Sequence, residues 1–237
     1  MASRTHHPRV GGGGRRLAAG RTPCRSGRRR QGRELVTGRF IAVEGADGTG
    51  KSTQARLLAE HLDAVFTREP GGTPLGERIR DLVLDPDGDG PADRAEALLM
   101  AAARAQHVER VVAPALAAGR DVVSDRYVAS SIAYQGHGRC LGADAVAEVN
   151  RFATVGLEPD LVVLVVLDVP LAADRLGGAG DRDRIERAGD DLQAVVVAAY
   201  REMATADPDR WVVVDGSGTI EEVAARVTAA VDARLDA

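Results

Sequence analysis

The chain has 237 residues, 44% hydrophobic but only 3% aromatic, which gives room for one domain with a sizeable core of Val, Leu, Ile and Ala and leaves few rings for stacking nucleobases. Its longest apolar run, Leu161 to Leu167, is far short of the roughly 20 residues that cross a bilayer, and Cys24 and Cys140 are too few for a disulfide framework and lack partners at metal-ligand spacing. The composition therefore argues for a soluble protein of a reducing cytoplasm, and its net charge of -4 conceals a basic N-terminal stretch followed by an acidic body.

Residues 1–38 carry ten arginines and one acid, Glu34, with Gly11 to Gly14 consecutive and no apolar periodicity. They read as a disordered tail, and as translated upstream sequence before a start near Val36, although a basic tail also suits nucleic acid. Residues 39–237 form one domain. In it, short Val/Ile/Leu runs alternate with longer segments of helical period, the pattern of an α/β fold whose five-stranded parallel sheet is flanked by helices on both faces. The first strand, Phe40–Glu44, runs into Gly45-Ala46-Asp47-Gly48-Thr49-Gly50-Lys51-Ser52, a full match to GxxxxGK(S/T), and a helix follows from Lys51 to Leu62. Lys51 is the only lysine among 31 basic residues. That exception points to a site needing a compact ammonium on a thin stem, which a planar guanidinium does not imitate. Between strand and helix, such a loop wraps backbone N–H groups around phosphate oxygens; Lys51 bridges the β- and γ-phosphates, and the Ser52 hydroxyl can take a Mg²⁺ position.

The second strand, Ala64–Arg68, leads into Thr67-Arg68-Glu69-Pro70-Gly71-Gly72-Thr73, a polar loop in which Arg68 can hold a second phosphate and Glu69–Pro70 can be cis. A helix over Pro74–Leu84, a loop at Asp85–Pro91 and an Ala-rich helix over Ala92–Ala118 follow. The third strand, Asp121–Asp125, ends in Asp125-Arg126-Tyr127, where Asp125 can hold Mg²⁺ through water and Arg126 can grip phosphate bidentately. Ser130, Ser131, Tyr134 and Gln135 come next. After a helix at Ala143–Phe152, the strand Leu161–Asp168 is apolar throughout, as a strand buried on both faces is. Helices over Leu171–Leu176 and Asp183–Ala204 flank a glycine hinge at Gly177–Gly180, with Arg175, Arg182, Arg184 and Arg187 around it. A strand at Trp211–Asp215 and a helix at Ile220–Leu235 close the domain. Each cluster alone also reads as a surface ion pair, a turn or an exposed helix face. Together, at strand ends beside a phosphate loop, they point to phosphoryl transfer between two anionic substrates.

These residues resemble the thymidylate kinase family, P-loop nucleoside monophosphate kinases that make dTDP from dTMP and ATP. The resemblance runs from about Arg39 to the C-terminus. It rests on Glu44 to Gln54, on Thr67 to Thr73, on Ser124-Asp125-Arg126-Tyr127 with Ala133-Tyr134-Gln135-Gly136, and on Asp183-Arg184-Ile185-Glu186. It implies a P-loop NTPase fold with a short lid, and ATP with Mg²⁺ on Gly45, Ala46, Asp47, Gly48, Thr49, Gly50, Lys51, Ser52 and Thr53. It also implies a homodimer through the Ala-rich helix and a cytoplasmic role in dTTP biosynthesis. Carried over by position, Asp47 matches the contact to the 3′-hydroxyl of dTMP, Arg68 and Arg126 the ligands of its phosphate, and Asp125 the carboxylate beside Mg²⁺. Arg104 matches the donor to the thymine carbonyl, Ser131 a polar contact to the base, and Tyr134 the ring against the sugar.

Gly48 stands where some relatives carry an arginine in the phosphate loop, so the chain resembles the type that supplies positive charge from the lid. Arg182 and Arg184 are then the residues facing the transferring phosphoryl group, and Arg175 meets the adenine or phosphate side of ATP. Two places depart from the family. Met100 occupies the position of a phenylalanine that stacks on thymine, and Gly177 and Ala179 occupy lid positions that often hold arginines. A kinase for another nucleoside monophosphate and a nucleotide-binding paralogue without transfer therefore stay open. Neither nucleic acid nor a membrane is an expected partner.

Overall fold

Five strands, β1 (Phe40–Glu44), β2 (Val65–Arg68), β3 (Val122–Asp125), β4 (Leu161–Val166) and β5 (Trp211–Asp215), pair in parallel in the order β2-β3-β1-β4-β5. The structure, a computed structural model, describes residues 38–175 and 183–235. Alternation along the central strands divides the core in two. Phe40 and Ala42 of β1, with Val162 and Leu164 of β4, join one apolar cluster, while Ile41 and Val43, with Leu161, Val163 and Val165, join the other. The unbroken apolar run of β4 is thus a consequence of burial on both faces.

The helices are α1 (Lys51–His61), α2 (Pro74–Leu84), α3 (Asp93–His107), α4 (Ala113–Ala117), α5 (Val128–Ser131), α6 (Ala143–Thr154), α7 (Val169–Arg175), α8 (Asp190–Ala206) and α9 (Ile220–Leu235). One face of the sheet is covered by α1 and α9 through Ala55, Leu58, Val223, Val227 and Val231. The other is covered by α2, α3 and α8 through Ile79, Val83, Met100, Leu192, Val196 and Tyr200. Thr73 starts α2 sharply: its hydroxyl accepts from the Gly76 N–H at 2.9 Å and Pro74 occupies the first turn.

Three helical segments differ from the sequence expectation. The single helix expected over Ala92–Ala118 is α3 and α4 joined by a wide turn at Val108–Val112, just before Pro114, which has no N–H to donate and crowds the preceding turn. Residues 128–138, for which no element was expected, are helical, with α5 running into wider turns over Ile132–Gly138. Ser130, Ser131, Tyr134 and Gln135 line the site while Val128, Ala129 and Ala133 pack on the core, an apolar stripe of small residues too short to mark the helix. The helix expected over Asp183–Ala204 begins only at Asp190, because Gly189 at φ 95° interrupts it after a short turn at Glu186–Ala188. The glycine hinge and Arg182 lie outside the described residues.

Since β2 and β3 lie on one side of β1 and β4 and β5 on the other, the chain leaves β1 at the point where strand order reverses. The crevice at the carboxyl ends of such strands is where open α/β sheets bind ligands.

Candidate active site

Beyond Glu44 the chain turns through Gly45, Gly48 and Gly50 at φ 155°, 79° and 85° and enters α1. A Cβ on Gly45 would lie 2.6 Å from the Val165 carbonyl oxygen and 2.8 Å from Thr49 Oγ1, so this first position has room only for glycine. Thr49 Oγ1 donates to the Ala46 carbonyl at 2.9 Å and closes the turn. No side chain of Gly50 caps α1, and the N–H groups of a first helical turn have no intrahelical acceptor, so they face the loop as anion donors.

Asp47 is the electrostatic centre of the site. Its Oδ1 pairs with Lys51 Nζ at 3.2 Å and with Arg126 Nη2, while its Oδ2 accepts from Tyr134 Oη at 2.8 Å and Gln193 Nε2 at 3.2 Å. Burial pushes its carboxyl pKa up, but Arg126 and then Lys51 outweigh burial and hold the group well below the usual carboxylate range. Burial, reinforced by Arg126, pulls the Lys51 ammonium down against the opposing fields of Asp47 and Asp125. One carboxylate therefore neutralises two cations, one from the phosphate loop and one from the end of β3.

Arg126 sits at φ 70°, a left-handed conformation that costs a non-glycine residue about 1–3 kcal/mol. Its N–H bonds Val43 O at 2.9 Å and its carbonyl accepts from Ser124 Oγ at 2.7 Å, which fixes the turn. The guanidinium donates to Gly45 O at 3.2 Å and Ser130 Oγ at 3.0 Å, and lies 5.1 Å from the centre of the Tyr134 ring. Below it, the buried Glu44 accepts from Tyr127 N at 2.8 Å, Ser130 Oγ at 2.6 Å and Tyr200 Oη at 2.9 Å. Burial raises the Glu44 pKa against the pull of Arg126.

The cavity beside this cluster is lined by every acceptor-side residue expected from the sequence: Asp47, Arg68, Met100, Arg104, Arg126, Ser131 and Tyr134. Lys51, Ser52 and Asp125 line it too. Arg68, largely exposed, donates to Glu77 Oε2 at 2.9 Å, and the adjoining Glu69–Pro70 bond is cis. Arg104 is buried. Its Nε donates to Glu69 Oε2 at 2.6 Å, Nη1 to Ser131 Oγ at 2.9 Å and to Asn150 Oδ1, and Nη2 to Tyr127 O at 3.0 Å. A guanidinium has five N–H donors, so these four bonds leave one, on Nη2, for a ligand. Glu69 also accepts from His107 Nδ1 at 2.7 Å; burial raises its pKa, and Arg104 followed by His107 brings it below the ordinary value. Asp125 Oδ1 is buried and finds no hydrogen-bond partner among the described residues.

Arg175 and Arg184 do not line this cavity. Arg175 stands across the phosphate loop, donating to Gly216 O at 3.0 Å and Gly218 O at 3.1 Å, with its Nη1 4.0 Å from where a Cβ on Gly50 would be. Arg184 pairs with Glu96 and donates from Nε to Val83 O at 2.9 Å. Several residues that sequence reasoning missed join the site. Arg80 of α2 lines the cavity and donates to Pro70 O at 3.1 Å; burial and then Arg68 lower its pKa. Glu69, Asn150, Gln193 and Tyr200 serve the arginines and Asp47. A sequence signal existed for Asn150, which follows Val146 at helical spacing, and the buried face of α3 is marked the same way by Glu96, Met100, Arg104 and His107, so polar groups lie on stripes that bury.

A parallel sheet with a phosphate loop after β1, and a second cationic cluster one strand away, define a P-loop nucleotide-binding protein with places for two anionic substrates. A family model described as thymidylate kinase matches residues 43–227, and the chain belongs to that family. The thymidylate kinase of Leifsonia xyli subsp. xyli is 51% identical over 204 residues, covering 84% of this chain and 96% of the relative. That of Ectopseudomonas mendocina is 42% identical over 207 residues, covering 85% and 99%. The crystal structure of thymidylate kinase from Ehrlichia chaffeensis matches with a TM-score of 0.67 at 28% identity, covering 83% of this chain and 99% of that one.

Proposed function

We propose that the protein transfers the terminal phosphoryl group of ATP to dTMP, giving dTDP and ADP, in the cytoplasm. The observation that carries this reading is the meeting of Lys51 and Arg126 on the single carboxylate of Asp47, which puts a donor-side cation beside an acceptor-side one. In this reading the phosphate loop and Lys51 hold the ATP phosphates, with Arg175 on the far side of the loop. Arg68 and Arg126 hold the dTMP phosphate, with Asp47 and Tyr134 at the sugar. The remaining Nη2 hydrogen of Arg104 meets the thymine carbonyl. A donor there disfavours cytosine, whose amino group would leave both donors unpaired. The cations cancel the repulsion between two anions, and an acceptor phosphate oxygen attacks the terminal phosphorus in line as ADP leaves. Catalysis is positioning and charge stabilisation with no covalent enzyme intermediate. Arg182 is the group assigned here to the charge on the transferring phosphoryl.

The donor set suits Mg²⁺. Asp125 Oδ1 is a buried carboxylate oxygen without a partner among the described residues, and Ser52 is exposed at the start of α1. No group of three His, Cys, Asp or Glu among the described residues could hold a metal alone, so phosphate oxygens would complete its ligands, as is usual for this ion. When bound, it supplies positive charge to the phosphates. The reading also includes a homodimer through α3, on which Leu98 is exposed, as is Leu82 of α2, the helix packed against it. Sedimentation of the purified protein tests the dimer.

An ADP-release assay with dTMP, dUMP, dGMP and UMP tests the reaction. Turnover highest with dTMP supports it. Turnover highest with another monophosphate assigns a different acceptor, and binding of both nucleotides without ADP release refutes transfer.

A further inference from the structure

One buried carboxylate, which meets no substrate in the proposed reaction, touches three walls of the acceptor cavity. Glu96 is 1% exposed on α3, four and eight residues before Met100 and Arg104 and so on their face of the helix. Its Oε1 accepts from Gln135 Nε2 at 3.0 Å, on the helical segment that also carries Ser131 and Tyr134. Its Oε2 pairs with Arg184 and, at 3.4 Å, with Arg139 Nη2. Arg184 lies between Asp183 and the pair Ile185–Glu186, all three of which line the cavity while Arg184 does not. The Arg184 backbone N–H bonds Leu84 O at 3.2 Å and its Nε bonds Val83 O at 2.9 Å, which ties the same stretch to the C-terminal end of α2. Gly90 leaves the channel for this side chain: a Cβ there would lie 2.6 Å from Arg184 Cδ.

Arg184 thus donates from Nη2 to Glu96, and from Nε and its backbone N–H to two helix-end carbonyls. A guanidinium anchored in this way orients the residues on either side of it. Turning its Nη2 to a reacting phosphate would give up a buried carboxylate, which would keep only Gln135 and the longer Arg139 contact, and weakening the pairing of a buried charge is expensive. We propose that the Glu96–Arg184 pair is a positioning device for the acceptor nucleotide, setting the wall Asp183–Glu186 against α3 and against the segment bearing Tyr134. This rests on the acceptor-site reading above and gives Arg184 a different task from the one expected of it in the sequence.

The test varies dTMP and ATP separately in steady-state kinetics of the full chain for Glu96→Gln, Arg184→Met and the double variant, with thermal unfolding of each. We expect each single change to raise the dTMP KM about tenfold while kcat stays within about threefold, because the interaction lost is one of substrate binding. The ATP KM stays unchanged. The double variant matches the worse single one, since both remove the same contact. Two outcomes overturn the proposal. In one, Arg184→Met lowers kcat about a hundredfold or more while Glu96→Gln leaves kinetics alone, as for a charge acting on the phosphoryl group. In the other, unfolding temperatures fall but the dTMP KM does not move, which is the signature of a purely structural pair. If Glu96→Gln does not fold, Arg184→Met and Arg184→Lys decide, with lysine expected to recover part of the KM. Failure of the underlying reading is separate: the wild-type enzyme would then show no turnover of any monophosphate.

Discussion

Replacing Lys51 with methionine removes the ammonium and keeps a stem of similar bulk. The two contacts of Nζ, 3.2 Å to Asp47 and 3.5 Å to Ala46 O, are longer than the roughly 2.9 Å usual for an N–H···O bond. Asp47 retains Arg126, Tyr134 and Gln193, so no buried carboxylate is orphaned. Burial and Arg126 already disfavour the Lys51 charge, so its loss removes a group the fold tolerates poorly. The unfolding midpoint should therefore move by no more than about 4 °C, equivalent to about 1 kcal/mol for a domain of this size. For the reaction, the same change deletes a preorganised charge worth about 2.7–4 kcal/mol at developing negative charge, a loss of about 10²–10³ in kcat. ADP release at saturating dTMP and ATP, with thermal unfolding on the same preparations, measures both quantities. A fall in kcat of less than about tenfold with an unchanged midpoint would refute the assignment of Lys51 to the reacting phosphates.

Gly45→Ala puts a Cβ 2.6 Å from the Val165 carbonyl oxygen, a backbone atom held in the sheet, so thermal unfolding should show a loss of about 2 kcal/mol or more and no stabilisation by ATP. An unchanged midpoint contradicts the packing argument. Asp47 ionises at lower pH in the folded protein than in the unfolded chain, where such a group titrates near about 3.9. Its stabilisation is present above about pH 4 and is lost as pH falls through the folded-state value, so in urea denaturation the gap between wild type and Asp47→Asn should close on acidification. Parallel pH profiles of the two proteins would show that the Asp47 ion pairs contribute nothing. Met100 lines the acceptor cavity and is 9% exposed, and Met100→Phe offers a ring face to the base worth about 1 kcal/mol, which predicts a dTMP KM about fivefold lower. A higher KM would mean that the cavity has no room for the ring.

The sequence by itself determined the five strands and the phosphate loop, because both depend on short-range requirements. A strand buried on both faces must be apolar at every residue, as Leu161 to Val166 is. A loop passing close to the Val165 carbonyl needs glycine at Gly45, and the lone lysine singles out the same loop. Arg68, Arg104 and Arg126 were legible as motif members, and the cavity gathers them. Only the tertiary structure decided what each charge pairs with. Arg126 shares Asp47 with Lys51 across 79 residues of chain, and Arg184 finds Glu96 across 88, so it faces a buried carboxylate where the family resemblance implied a phosphoryl group. Arg80 enters the cavity only because α2 packs along it, and the helical run through Ser131 and Tyr134 was hard to see because its apolar stripe is short and its polar side chains line the site. An ion pair has no periodicity along the chain; its partner is set by which surfaces the packed helices bring within reach, and that information exists only once the sheet has formed.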